Sequence, residues 1–163
     1  MFITVGFLFL GALVSKGIEG VKTNQIVVIM QGDAMRKYEQ IAIENFVRWN
    51  EALQSHDAKK VAELYSSEAT FLPTLSPKFM NGNEEAEEYF KRFLKKNPMG
   101  KVVKEKVQVL SSSSYLHSGL YNFQIDEAEG KHIIEARFTF LWTLDEQGIW
   151  KIAHHHSSIK PKE

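Results

Sequence analysis

Three consecutive histidines near the C-terminus are the residues of this chain best suited to catalysis or metal binding. They stand in the segment Ile149–Ser158, which has the pattern of a β-strand. Because successive side chains of a strand point to opposite faces, His154 and His156 share one face and His155 points to the other. Imidazoles bind metal ions and transfer protons near neutral pH, so both kinds of chemistry have to be weighed.

A metal site would need a third ligand beside His154 and His156, supplied by His132, His117 or a carboxylate. The spacing alone is weak evidence, because histidine pairs near a strand end more often form hydrogen bonds or subunit contacts. We therefore predict no metal site and assign His154 and His156 to an interface. His155 remains the candidate acid or base of a catalytic site. The histidines are no affinity tag, since they lie within the strand pattern.

The composition of the chain excludes several classes of partner and cofactor. Twenty basic and twenty acidic residues cancel, so no global field favours nucleic acid or an anionic membrane as a partner. The chain has no cysteine, which excludes disulfides, thiolate chemistry and cysteine-bound zinc. It also has no glycine-rich dinucleotide loop, and we expect no cofactor.

The N-terminal segment is almost wholly apolar and carries no charge through Val14, as in a secretory signal. No Lys or Arg precedes it, and Ser15-Lys16-Gly17 makes a poor cleavage site. Two interpretations stay open. Residues 1–20 are a signal and the protein is exported or periplasmic, or translation begins further on, at Met30 or Met35, and the protein is cytoplasmic. A stable membrane span is not expected, because it needs about 20 apolar residues.

We expect residues 1–34 to form this N-terminal segment and residues 35–163 to form one domain that opens with helices. Apolar spacings of four, four, three and four predict a first helix, with a buried stripe of Tyr38, Ala42, Phe46, Trp49 and Leu53. Ser55-His56-Asp57 offers caps for a short second helix with Val61, Leu64 and Tyr65 facing inward. Asn83 is expected to cap a third helix, whose acidic first turn and basic end suit the helix dipole.

The rest of the domain is predicted to be a sheet. Glu68–Pro73 has the pattern of a short strand, Pro77–Gly82 that of an edge piece, and four long strands follow with turns at Asp126–Gly130 and Asp145–Gly148. In the third long strand Ile134, Ala136, Phe138, Phe140 and Trp142 alternate with more polar residues. This order predicts an α+β fold, a cone-shaped curved antiparallel sheet wrapped around three N-terminal helices.

The predicted hairpin of Glu135–Trp142 and Ile149–Ser158 resembles the C-terminal hairpin of the nuclear transport factor 2-like (cystatin-like) superfamily. It is most similar to the association (hub) domain of calcium/calmodulin-dependent protein kinase II and its bacterial stand-alone relatives. The hub strand reads Trp-x-Ile-x-His-x-His, and Trp150, Ile152, His154 and His156 match it. The resemblance implies a homodimer or larger ring formed through the sheet, and a small-molecule pocket inside the cone.

Two departures from the related families limit what the resemblance implies about ligands and reactions. Ser157 and Phe140 stand where the hub family has arginines that accept small carboxylates. Leu72 stands where ketosteroid isomerases place their proton-abstracting aspartate, and a leucine cannot abstract a proton. The resemblance therefore implies a fold and an assembly mode but no reaction.

Two functions remain as hypotheses. The first is a stand-alone association-type domain that homo-oligomerises and binds a small carboxylate or hydrophobic ligand. The second is a SnoaL-like isomerase, cyclase or hydrolase acting on a hydrophobic carbonyl compound, with His155 as acid or base, Tyr65 or Tyr89 as donor and Asn122 as a polar anchor. We favour the first.

Site residues for either function follow from the same patterns. Arg137 alternates out of step with Phe138 and Phe140, so we expect it to face away from the core, in a salt bridge or an interface. The predicted pocket consists of Trp49, Tyr65, Tyr89, Phe93, Asn122, Phe138, Phe140, His155 and Ser157.

Overall fold

The computed structural model describes residues 23–162, which form an α+β fold. The helices are α1 (Thr23–Gln54), α2 (Ala58–Ala62) and α3 (Gly82–Phe93), with a short 3-10 helix at Leu94–Lys96. The strands are β1 (Tyr65–Leu72), β2 (Met80–Asn81), β3 (Met99–Ser111), β4 (Ser114–Glu127), β5 (Gly130–Leu144) and β6 (Trp150–Ile159). The compact unit that carries the sheet begins at Lys37, within α1.

All six strands belong to one sheet in the order β2-β1-β6-β5-β4-β3. The four long strands pair as antiparallel neighbours, as predicted. The predicted curved sheet is confirmed, with one parallel pairing, that of β1 with β6. This pairing sets Phe71 of β1 beside His155 of β6.

The predicted buried stripe of α1 and the predicted cap of α2 are both present. Ala42, Phe46, Trp49 and Leu53 of α1 are all buried, which confirms the stripe, although the helix begins at Thr23 rather than near Tyr38. Asp57 caps α2 as expected, since its carboxylate accepts hydrogen bonds from the amides of Lys59 and Lys60.

Two boundaries differ from the prediction. Asn81, not Asn83, is the N-cap residue of α3, because Gly82 adopts a positive φ of 73° and turns the chain directly from β2 into the helix. Tyr65 opens β1 instead of belonging to α2.

A β-bulge in β6 decides which histidine is buried. Trp142 pairs with Ile152 and Leu141 pairs with His154, so β6 contains one extra residue, Ala153, at this point. Strict alternation from the buried Ile152 would direct His154 into the core. The bulge reverses the alternation and buries His155 instead.

Within residues 23–162 no helix has the length and apolar character needed to cross a membrane. Residues 1–20, for which a signal and a translation start further along were both left open, lie outside the described residues.

Candidate functional site

The candidate site is a cavity between the helices and the concave face of the sheet. The space inside it that a water molecule can reach has a volume of about 30 Å³. Aromatic side chains form most of its wall, among them Trp49, Phe71, Tyr89, Phe90, Phe93 and Phe123. Its polar groups are the imidazole of His155 and the hydroxyls of Thr74, Tyr89, Tyr121 and Ser157. Among the described lining residues there is no Asp, Glu, Lys or Arg, so the site carries no fixed charge.

The structure brings five of the predicted pocket residues together at this cavity, Trp49, Tyr89, Phe93, His155 and Ser157. Tyr65, Phe138 and Phe140 are buried in the surrounding core and do not line it. Asn122 was placed in the pocket by prediction, and this placement needs correction. It alternates with the buried Tyr121 and Phe123, so its side chain lies on the outer face of the sheet.

His155 is almost completely enclosed in the cavity wall, with only 2% of its surface exposed. Its ring is stacked on Phe71, with centroids 4.8 Å apart, and on Phe140, with centroids 4.0 Å apart. Trp49 stands perpendicular to it at 5.6 Å. Because its aromatic neighbours restrict the imidazole, the direction of each ring nitrogen is set by packing.

A chain of hydrogen bonds assigns the protons of this imidazole. Trp49 Nε1 can only donate, and it lies 3.3 Å from the hydroxyl oxygen of Tyr65. Among the described residues the hydroxyl proton of Tyr65 has no acceptor other than His155 Nδ1, at 2.9 Å, so we assign Tyr65 as the donor of this bond. The proton of a neutral His155 therefore resides on Nε2, and this buried nitrogen has no hydrogen-bond partner among the described residues.

Burial lowers the pKa of His155 well below its ordinary value, and the nearby His154 and His156 lower it further. His155 is therefore neutral near pH 7 and has no proton to give as a general acid. Its basic nitrogen, Nδ1, is occupied by the Tyr65 hydroxyl. The geometry favours a hydrogen-bond donor at Nε2 over the predicted acid or base.

The second polar feature of the cavity is a group of three hydroxyls. Tyr121 donates to Ser157 Oγ, which also contacts the hydroxyl of Thr74. Burial raises the pKa of Tyr121, so this phenol stays protonated. Sequence reasoning missed Thr74 and Tyr121 as cavity residues. The alternation of Tyr121 with Phe123 already indicated its inward direction, whereas nothing local marked Thr74, which follows β1.

The outer face of the sheet carries the residues that were assigned to an interface. Arg137 faces outward as expected, and its Nε donates to Ser158 Oγ at 3.2 Å. Within the described part of the chain it forms no salt bridge. His154 bonds through Nδ1 to the Thr70 hydroxyl at 2.7 Å, and His156 is exposed.

His117 lies apart from these histidines, on the inner face of the sheet. It is fully buried, and its Nε2 lies 2.6 Å from Glu105 Oε2. Burial lowers the pKa of His117, and the Glu105 carboxylate opposes this shift. It cannot join His154 and His156 on the outer face, and within residues 23–162 no group of three His, Asp or Glu side chains is arranged to hold a metal ion.

Replacement of Tyr65 by phenylalanine should lower the free energy of unfolding by about 1–3 kcal/mol, because it leaves the buried His155 Nδ1 without its partner. Urea denaturation monitored by circular dichroism measures this. The matched control is Tyr38→Phe, which removes a hydroxyl that bonds the Ser112 carbonyl in an exposed place. Equal losses from both variants would contradict a buried hydrogen bond between Tyr65 and His155.

The fold is the one seen in nuclear transport factor 2-like proteins. A nuclear transport factor 2-like protein from Salmonella enterica serovar Typhimurium is 17% identical and has a TM-score of 0.66, covering 78% of this chain and 94% of its own. The association domain of Caenorhabditis elegans calcium/calmodulin-dependent protein kinase II is 16% identical and has a TM-score of 0.63, with coverage of 77% and 98%.

The family is shown by two further comparisons. The family model for the calcium/calmodulin-dependent protein kinase II association domain matches residues 37–161. A Xanthomonas campestris structure described as such a domain is 36% identical, with a TM-score of 0.71, and the match covers 77% of this chain and 88% of that one. No curated protein matches the chain significantly. The chain belongs to the calcium/calmodulin-dependent protein kinase II association domain family.

Proposed function

We propose that this protein is a self-associating domain that pairs with a second copy through the outer face of its sheet and holds a small molecule in its cavity. The observation that carries the first part is the composition of that face. Across β4, β5 and β6, Leu116, Leu141 and His154 form one row of paired residues, Ser118, Thr139 and His156 the next, and Leu120, Arg137 and Ser158 a third.

These three rows contain a single fixed charge, that of Arg137. The leucines at positions 116, 120 and 141 are half-buried within one chain and point away from its core. A broad antiparallel sheet face of this kind is normally covered by another layer, since solvated faces carry charged and polar residues throughout. The charged side chains lie around it, with Lys104 and Lys106 on β3 and the Lys160–Glu135 pair at one end.

The ligand-binding part of the proposal is supported by the cavity. Aromatic walls with a few fixed polar groups are typical of small-molecule sites. A carboxylate ligand is disfavoured here, because the described lining residues supply no cation and burial of an unpaired carboxylate costs several kcal/mol. A neutral hydrophobic ligand fits the same wall without that penalty.

The alternative of a small enzyme with a histidine acid or base receives no comparable support. The lone pair of His155 is directed to Tyr65 rather than to the cavity, and no carboxylate lines the described wall to take its place. We therefore retain the association function as the conclusion.

Replacement of Thr139 by glutamate tests the association. Thr139 lies between Ser118 and His156 at the centre of the outer face, so a carboxylate there would be buried and unpaired in an assembly. We expect multi-angle light scattering to give at least twice the chain mass for the unchanged protein. The Thr139→Glu variant should dissociate at about a hundredfold higher concentration or more.

Ser112→Glu is the matched control, since it introduces the same charge at an exposed turn between β3 and β4. This variant should keep the mass of the unchanged protein. A monomeric unchanged protein, or an assembly that tolerates Thr139→Glu, would refute association through this face.

A further inference from the structure

The outer face of the sheet, which the proposed association would cover, holds cations without matching acids. Two of its rows of paired residues continue onto β3, where one ends in Lys104 and the other in Lys106. The row of Lys104 runs through Leu120 to Arg137 and Ser158. Among the described residues of these two rows, three side chains are positively charged and none is Asp or Glu.

Arg137 is the cation of this group that a second copy would enclose, because it lies on β5 with a strand on either side. Within the described part of the chain its guanidinium donates from Nε to Ser158 Oγ, a neutral acceptor. The acid two positions earlier on the same face, Glu135, pairs with Lys160 at 3.0 Å. The two terminal nitrogens of the Arg137 guanidinium therefore have no acceptor among the described residues.

Association through this face makes the missing acceptor costly. An enclosed guanidinium loses its water, and without a partner it gains nothing in return. In a symmetric pair the same patch faces itself, so the cations of both copies also approach one another. Lys104 and Lys106 lie on the edge strand and can extend their stems to keep the ammonium groups in water, whereas Arg137 lies between β4 and β6. An anion from outside the chain removes this cost.

We propose that the interface between two copies binds a small oxyanion with two charges, of the class of inorganic phosphate, held by Arg137 with Lys104 on the other side of Leu120. The planar guanidinium offers parallel N–H donors that match two oxygens of such an anion. Packed sheets lie about 10 Å apart, which leaves no room for a large organic group on the anion. The site is complete only when two copies meet. It therefore rests on the proposed association and names the ion that stabilises it.

Dilution series of the full, unchanged protein, followed by light scattering, test the site. The buffers contain chloride, acetate or inorganic phosphate at equal ionic strength and mildly alkaline pH, so that general screening is the same in each. An anion that binds only the pair stabilises it by mass action. Phosphate should therefore lower the dissociation constant of the pair about tenfold or more relative to chloride. Acetate, with one charge, should lower it by about twofold or less.

Arg137→Gln removes the charge and keeps a polar side chain on the face. This variant should lose the response to phosphate, and in chloride it should associate at least as tightly as the unchanged protein, because no unpaired cation is enclosed. Lys60→Gln is the matched control, since it removes the same charge from an exposed position on α2 and should keep the response. In the unchanged protein the 1H–15N signal of Arg137 Nε–H should move on addition of phosphate and move less with acetate.

Three results would overturn the anion site and leave the association standing. They are equal dissociation constants in chloride and phosphate, a response to acetate as large as that to phosphate, and an Arg137→Gln variant that still responds to phosphate. A particle that stays monomeric in all three buffers would overturn the association and the anion site together. The buffer series needs no variant, so it decides the question even if Arg137→Gln fails to fold.

Discussion

Replacing Trp49 with alanine is expected to lower the free energy of unfolding by about 3–5 kcal/mol, the range for loss of a buried tryptophan. The indole is 1% exposed and packs within 6 Å, between ring centroids, of Phe46, Phe123, Phe140 and His155. It also donates to the Tyr65 hydroxyl. Its removal opens a hole at the wall of the cavity and frees the Tyr65 hydroxyl to turn away from His155. Urea unfolding at fixed protein concentration measures the loss.

The control for this prediction is Glu51→Ala, which lies two residues further along α1 and is exposed. Surface substitutions of this kind change stability by about 0.5 kcal/mol or less. A Trp49→Ala variant within 1 kcal/mol of the unchanged protein would mean that the cavity wall collapses around the missing side chain, and that the packing described here does not determine the position of His155.

Stability is expected to fall as the pH is lowered below about 6.5, by up to about 1.4 kcal/mol per pH unit for His155 alone. Burial lowers the pKa of His155 in the folded state, whereas in the unfolded chain it has its ordinary value. Below pH 6.5 the unfolded state therefore binds a proton that the folded state does not. The contribution of His155 to the free energy of unfolding is fully present above pH 6.5. It is lost as the pH falls toward the pKa of His155 in the folded state.

The difference between the unchanged protein and His155→Phe isolates this effect in denaturation experiments from pH 7.5 to 5. Burial also lowers the pKa values of His117 and His154, so part of the slope should remain in the variant. A His155→Phe variant with the same pH slope as the unchanged protein would show that the fold does not lower the pKa of His155.

Much of the fold could be predicted because it depends on local periodicity. The alternation of Phe138, Phe140 and Trp142 with Arg137 and Thr139 assigned the faces of β5 correctly. The stripe of α1 followed equally from its spacing. Both patterns arise from the backbone geometry of the element itself, with a period of two for strands and 3.6 for helices, and need no knowledge of distant residues.

The candidate site was only partly predictable, because its wall is assembled from segments far apart in the chain. His155 and Ser157 were identified by their place in the hub-like strand, whereas Thr74 and Tyr121 carried no motif. Asn122 was predicted as a polar anchor of the pocket, but it alternates with the buried Tyr121 and Phe123 and therefore faces outward.

The sequence by itself determined the family, the helical stripe and the faces of the long strands, since each follows from residue type and short spacing. Only the tertiary structure decided that His155 is buried with a free Nε2–H. That outcome depends on the bulge at Ala153, on the parallel pairing of β1 with β6, and on a hydrogen bond from Tyr65, 90 positions earlier. Such features are fixed by contacts between distant segments, which no local period encodes.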